Sequence, residues 1–101
     1  MMKKLLWLLC ISSSCLAAEP AAERQTEIRT LLQNSCGGCH GASLQGAMGP
    51  SLQPAALASK ADDLLIETIT NGRKGTMMSS WKATFEPDEI KWLVKTLKSG
   101  K

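Results

Sequence analysis

A chain of 101 residues has room for one small domain, and a core of that size is marginal unless something besides apolar burial holds it. The formal charge of +3 comes without a basic run and without aromatic side chains interleaved among cations, which argues against a nucleic-acid surface. Two of the cations, Lys3 and Lys4, stand at the extreme N-terminus, so a chain processed behind them is left at about +1.

Met1-Met2-Lys3-Lys4 is followed by the apolar run Leu5-Leu6-Trp7-Leu8-Leu9-Cys10-Ile11 and a serine-rich stretch, the pattern of a secretory signal peptide over residues 1–18. The apolar run is well short of the roughly 20 residues that a membrane-spanning helix needs. Cleavage after Ala17 places Cys15 and Ala17 at the recognition positions, and cleavage after Ala18 is the other choice. Either removes Cys10 and Cys15 and leaves one domain over residues 19–101 with no membrane span. An uncleaved anchor is the weaker alternative. A lipid anchor on Cys15 is disfavoured because Ser12-Ser13-Ser14 lacks the leucine expected ahead of a lipidated cysteine.

After a short polar lead-in, residues 22–35 read as a helix, with Ile28, Leu31 and Leu32 at i, i+3 and i+4. This helix runs into Cys36-Gly37-Gly38-Cys39-His40, the C-x-x-C-H spacing of covalent haem attachment. Two thiols separated by two residues can add to the two vinyl groups of one porphyrin, and the adjoining histidine then supplies the proximal nitrogen to iron. A thioredoxin-like dithiol would want a βαβ setting, and a zinc site would want more ligands. No cysteine follows Cys39, and His40 is the one histidine in the chain. The motif therefore predicts a single haem c on Cys36 and Cys39, and haem attachment outside the cytoplasm agrees with export to the periplasm.

Residues 41–54 read as a loop, punctuated by Gly41, Gly46, Gly49, Pro50 and Pro54. A proximal imidazole needs its second nitrogen held, and the Pro50 carbonyl is the candidate acceptor, with Leu52 packing on the haem face. Asp62 to Asn71 reads as a helix ended by Gly72, residues 73–85 as irregular, and residues 86–99 as a C-terminal helix with Pro87 at its first position. That helix carries Ile90, Leu93, Val94 and Leu97 on one face, and Trp92 falls roughly opposite, which makes it a candidate exposed aromatic, with cover by the N-terminal segment as the alternative. Lys74, Lys82, Lys91 and Lys95 read as solvated cations that could ring a docking side. With no strand pattern, the fold class is all-α.

An electron-carrying haem wants a sixth ligand, and with His40 used the choice falls on methionine. Met48 sits eight residues beyond His40 on the proximal connection, so it reads as an apolar loop residue. Met77 and Met78 lie in the irregular segment that can drape over the distal face, and composition does not separate them.

The runs Cys36-Gly-Gly-Cys-His40-Gly41, Gly49-Pro-Ser-Leu52, Gly75-Thr-Met-Met-Ser-Ser-Trp81 and Asp88-Glu-Ile together resemble class I cytochromes c. More narrowly, they are similar to the small NirC-type cytochromes encoded beside the haem c/haem d nitrite reductase of denitrifying bacteria. The likeness covers about residues 24–98. It implies the class I cytochrome c fold, with helices packed around one covalent haem. In that family the distal loop commonly reads Gly-Arg-x-Gly-Thr-Pro-Met-Pro-Pro-Trp. The resemblance therefore puts the distal ligand at Met78 and the haem-lining indole at Trp81. That indole or Arg73 is a candidate partner for a propionate, with a solvated Arg73 as the equal alternative. Met77, Ser79 and Ser80 stand where the family has prolines, which implies a less rigid loop. The implied role is that of a periplasmic, monomeric electron carrier in denitrification, not an enzyme. Its redox partners would be the nitrite reductase or its maturation proteins. The rivals are a generic periplasmic donor to an oxidase or peroxidase, and a gas-binding haem protein with an open sixth position.

Overall fold

The computed structural model describes residues 19–100; the expected signal peptide, residues 1–18 with Cys10 and Cys15, lies outside the described residues, as does Lys101. The described residues form helices and loops with no strand among them. The elements are α1 (Ala22–Leu31), α2 (Gly37–His40), α3 (Pro54–Leu57), α4 (Asp62–Asn71) and α5 (Pro87–Ser99). No described helix is long and apolar enough to cross a membrane.

The first helix does not stop before the cysteines. It passes from α1 through a wider π turn, Leu32–Cys36, directly into α2, with helical dihedrals at Leu31, Leu32, Cys36 and Gly37. In the π turn the Gly37 N–H reaches back five residues to the Leu32 carbonyl instead of four. The motif is thus the last turn of one long helical rod, where the sequence predicts a helix ending near Ser35.

Helix α5 is the centre of the core. Glu86 and Glu89 close a capping box at its start, the Glu86 N–H donating to Glu89 Oε1 at 2.8 Å, with Pro87 just inside. Ile90, Leu93 and Leu97 pack with Ile28 of α1, Leu57 of α3 and Phe85 into one buried cluster. Leu65, Ile66 and Ile69 of α4 cover its flank. Each fully buried aliphatic side chain here contributes about 1.5–3 kcal/mol. Lys98 near the end of α5 donates to Asp62 Oδ1 in the first turn of α4 at 2.6 Å, which joins a helix C-terminus to a helix N-terminus. α3 is absent from the sequence reading, where Pro54 serves only as loop punctuation; in the structure it takes the first helical position.

Trp92 follows the alternative expectation, cover by the N-terminal segment. It is 8 % exposed, with the Arg29 guanidinium 5.2 Å above its ring. A helical wheel assigns one buried face, but α5 is covered from more than one side: Trp92 and Thr96 are buried as well as the predicted stripe.

The N-terminal rod is fastened to α5 by Arg24. Its guanidinium forks onto Glu89, Nε to Oε2 at 2.7 Å and a terminal nitrogen to Oε1 at 3.0 Å, and also reaches the Thr84 carbonyl at 2.8 Å. The Arg24 bond holds the Glu89 carboxyl below its usual value of 4.5, with the Glu86 N–H adding to the effect and burial opposing it. Because the folded value is the lower one, the pair's contribution is complete above the unfolded value and is lost as the pH falls through the folded one. Arg24→Gln should therefore lower the thermal midpoint at neutral pH, and the deficit should close in acid. Thermal unfolding followed by circular dichroism at about pH 7 and pH 2 checks this. A deficit of the same size in acid would assign the role to Arg24 packing over Phe85, 5.9 Å away, instead of to the charge.

Candidate functional site

The two cysteines sit three residues apart on the same helical rod, so their side chains share a face. Both are half-buried free thiols. Burial pushes the Cys36 thiol above its usual value, with the neighbouring Cys39 adding to the rise. A redox dithiol needs the opposite, a stabilised thiolate.

His40 ends α2 and is 9 % exposed. Its Nδ1 lies 2.7 Å from the Pro50 carbonyl oxygen. A carbonyl only accepts, so Nδ1 carries the proton and the lone pair is left on Nε2, the nitrogen that can bind a metal. The loop delivers Pro50 to this position by capping the helix end. The Gly46 N–H donates to the His40 carbonyl at 2.7 Å, and the Gly49 N–H to the Cys39 carbonyl at 2.8 Å. These carbonyls have no partner within the helix, so one set of bonds both satisfies the helix end and orients the ring. Gly49 is held by contact as well: a Cβ there would stand 2.7 Å from His40 Cε1 and 2.9 Å from Nδ1. The imidazole lies directly against its backbone, an approach that no other residue permits.

The distal segment is organised the same way around the end of α4. Gly72 takes φ 76°, and a Cβ there would meet the Met78 carbonyl at 2.6 Å. The Arg73 N–H donates to that carbonyl at 3.0 Å, and the Met78 N–H to Thr76 Oγ1 at 3.2 Å. The Thr76 hydroxyl in turn donates to the Arg73 carbonyl at 2.7 Å. Ser80, at a position where the resembling family has proline, donates from Oγ to the Thr70 carbonyl at 2.6 Å, and the Trp81 N–H donates to Ile69 at 3.0 Å. Both main-chain groups of Met78 are thereby pinned, and Met78 is half-buried. Met77 is 83 % exposed and Met48 74 %. Trp81 is half-buried and stacks on Phe85, with ring centroids 5.6 Å apart. Leu44, Leu52, Leu65, Ile69 and Trp81 are packed on the core but only half-covered, which leaves part of their apolar surface open. Arg73, named from the sequence as a propionate partner, is exposed on the rim of the hollow beside Met78.

Sequence reasoning missed Gly49 and Thr76. Glycine next to Pro50 was visible, but only as punctuation; nothing in the sequence marks a hydroxyl that holds the Met78 amide.

Comparison with known proteins follows the same residues. The family described as cytochrome c oxidase, cbb3-type, subunit III matches residues 23–95, which contain the whole motif and the distal loop. The chain belongs to the cytochrome c family. It is 48 % identical over 85 residues to cytochrome c55X of Stutzerimonas stutzeri, covering 84 % of this chain and 75 % of that one. Among solved structures it resembles the c-type cytochrome NirC with a TM-score of 0.79 at 41 % identity, over 81 % of this chain and 96 % of that one. It also resembles part of the dihydro-heme d1 dehydrogenase NirN in complex with DHE, with a TM-score of 0.63 at 30 % identity, over 69 % of this chain and 15 % of that one. Family membership implies a covalently bound haem c, and cytochromes of this kind carry electrons and are not enzymes.

The residues fit such a group. Two thiols lie on one helical face, an imidazole keeps its Nε2 lone pair, a thioether is pinned by its backbone, and half-covered apolar side chains are packed on the core. Among the described residues there is no cluster of three His, Cys, Asp or Glu for a bare metal ion. Gly49→Ala should displace the imidazole, weaken its bond to Pro50 and lower the basicity of Nε2. The expected readout is a holoprotein whose ferrous form yields to added imidazole at a concentration about tenfold below that needed for the parent. Equal resistance in the two proteins would show that the ring accommodates the methyl group.

Proposed function

We propose that this cytochrome is a periplasmic single-haem electron carrier of the nitrite-reductase system in denitrification, produced by removal of residues 1–18. The haem is attached through Cys36 and Cys39, with His40 as proximal ligand and Met78 as distal ligand. A haem bound here supplies a one-electron ferric/ferrous couple. The carrying observation is the His40–Pro50 bond, which presents Nε2 to a metal and holds it there. The buried ring and the two backbone bonds on Met78 resist rearrangement, which is what a carrier needs when its charge state changes. The choice of Met78 over Met77 is supported by their burial and by the bonds to Thr76 and Arg73. The denitrification setting is supported by the likeness to NirC and to part of NirN.

Met78→Ala should abolish the ferric thioether-to-iron charge-transfer band and let the ferrous protein bind carbon monoxide rapidly, while Met77→Ala keeps both parental properties. The reverse pattern would move the ligand to Met77, and rapid carbon monoxide binding by the parent protein would favour a gas-binding haem with an open sixth position.

The place in metabolism is tested by the haem d content of nitrite reductase from a strain lacking this gene. Reductase that carries haem c but is depleted of haem d puts the electron step in cofactor maturation. Fully loaded reductase with nitrite reduction impaired in intact cells makes this cytochrome its donor. Normal haem d together with normal nitrite reduction would remove the protein from that system.

A further inference from the structure

The charges of this cytochrome are unevenly placed. Among the described residues nine Lys and Arg balance nine Asp and Glu, so attraction over distance depends on where the charges lie and not on their sum. From Thr30 to Ser59 there is no Lys, Arg, Asp or Glu at all. From Thr68 to Phe85 there are three cations, Arg73, Lys74 and Lys82, and no carboxylate. All three are exposed. Of the other cations, Arg24 is paired with Glu89 and Glu27, Lys98 with Asp62, Arg29 lies over Trp92, and Lys60 stands two residues before Asp62 in the chain. Lys91 and Lys95 share a hollow with Asp62, Asp63, Asp88 and Glu19, where the signs offset each other.

Arg73 and Lys74 lie on the rim of an open hollow of about 520 Å³ whose wall includes Thr76, Ser79 and Met78. The one carboxylate on that wall, Glu67, is engaged by the Asn71 amide at 2.7 Å. Next to the hollow in the chain is Met77, 83 % exposed, a polarisable apolar side chain three residues after Lys74 and five before Lys82.

We propose that the distal loop is the surface on which a redox partner docks, and that the partner presents carboxylates to Arg73 and Lys74 around an apolar contact on Met77. This rests on the reading of the chain as a haem electron carrier with Met78 as ligand. Contact at Met77 places the partner one residue from that ligand, so the electron has a short path. The positive loop, on a molecule whose other described residues carry six cations against nine carboxylates, turns that side towards an acidic surface before contact. The exposed apolar side chain of Met77 then allows close approach without a desolvation cost for buried ions.

Two small oxidants of opposite charge test the field at this loop, hexacyanoferrate(III) and tris(phenanthroline)cobalt(III). In each reaction the ferrous holoprotein gives up one electron, and the oxidant ends as hexacyanoferrate(II) or as the cobalt(II) complex. The exposed pair Arg73→Gln and Lys74→Gln should slow the anionic oxidant about fivefold at low salt and speed the cationic one, with both effects fading as salt rises. Lys91→Gln with Lys95→Gln is the control and should change either rate by less than about 1.5-fold. An acidic flavodoxin then serves as the protein probe: added to the ferrous cytochrome, it should shift the backbone amides of residues 72–85, and salt should reverse the shift. Rates indifferent to Arg73 and Lys74, or amide shifts centred on Lys91 and Lys95, would overturn the proposal. A chain that takes up no haem or shows no reversible one-electron couple would instead overturn the functional reading beneath it.

Discussion

The hydrogen bond from His40 Nδ1 to the Pro50 carbonyl, at 2.7 Å, is the interaction on which the site depends. It fixes the tautomer, the ring plane and the direction of the remaining lone pair together. It forms only because the loop folds back onto the helix end, where Gly46 and Gly49 satisfy the carbonyls of His40 and Cys39. It also needs a residue without a side chain at Gly49, because the ring occupies the space a Cβ would take. Helix capping, loop closure and ligand orientation are therefore one event in this fold, and they cannot be altered independently.

The two halves of the site are built on the same principle with different materials. On the proximal side backbone amides cap a helix end. On the distal side a serine hydroxyl and two amides do so at α4, and a threonine hydroxyl holds the Met78 amide. The resembling family commonly stiffens this loop with prolines; here Ser80 makes a bond to Thr70 that a proline at the same position lacks the donor to make. These bonds hold the loop within the folded state, where proline would act through the unfolded chain. The stabilising ion pairs, Arg24–Glu89 and Lys98–Asp62, join helix to helix and draw on none of the site residues.

The limits of what could be read from the sequence have physical reasons. Helices α4 and α5 were legible almost to the residue, because Asp62, Asp63 and Gly72 mark one and Pro87 with its 3.6-residue stripe marks the other. The π turn was not, since shifting a hydrogen bond by one residue leaves no trace in Leu32-Gln33-Asn34-Ser35. Trp92 stayed open between exposure and cover by the N-terminal segment because a wheel assumes that packing comes from one side, whereas Arg29 of α1 lies over its ring. The pentapeptide pointed to the chemistry directly. What it could not convey was tertiary: that Gly49 abuts the ring, and that Thr76 holds Met78 by its amide.

The π turn makes the rod an instrument of phase. Ile28 is fully buried in the core, and Cys36 is eight residues further along. In an unbroken α-helix those two side chains would stand about 80° apart around the axis. Five residues wound more loosely take back most of that offset, so the residue that anchors the rod and the first thiol come to face nearly the same way. The stretch between them thus behaves as a fixed-length spacer, intolerant of insertion or deletion, because adding or removing one residue would turn both thiols and the imidazole together about the axis.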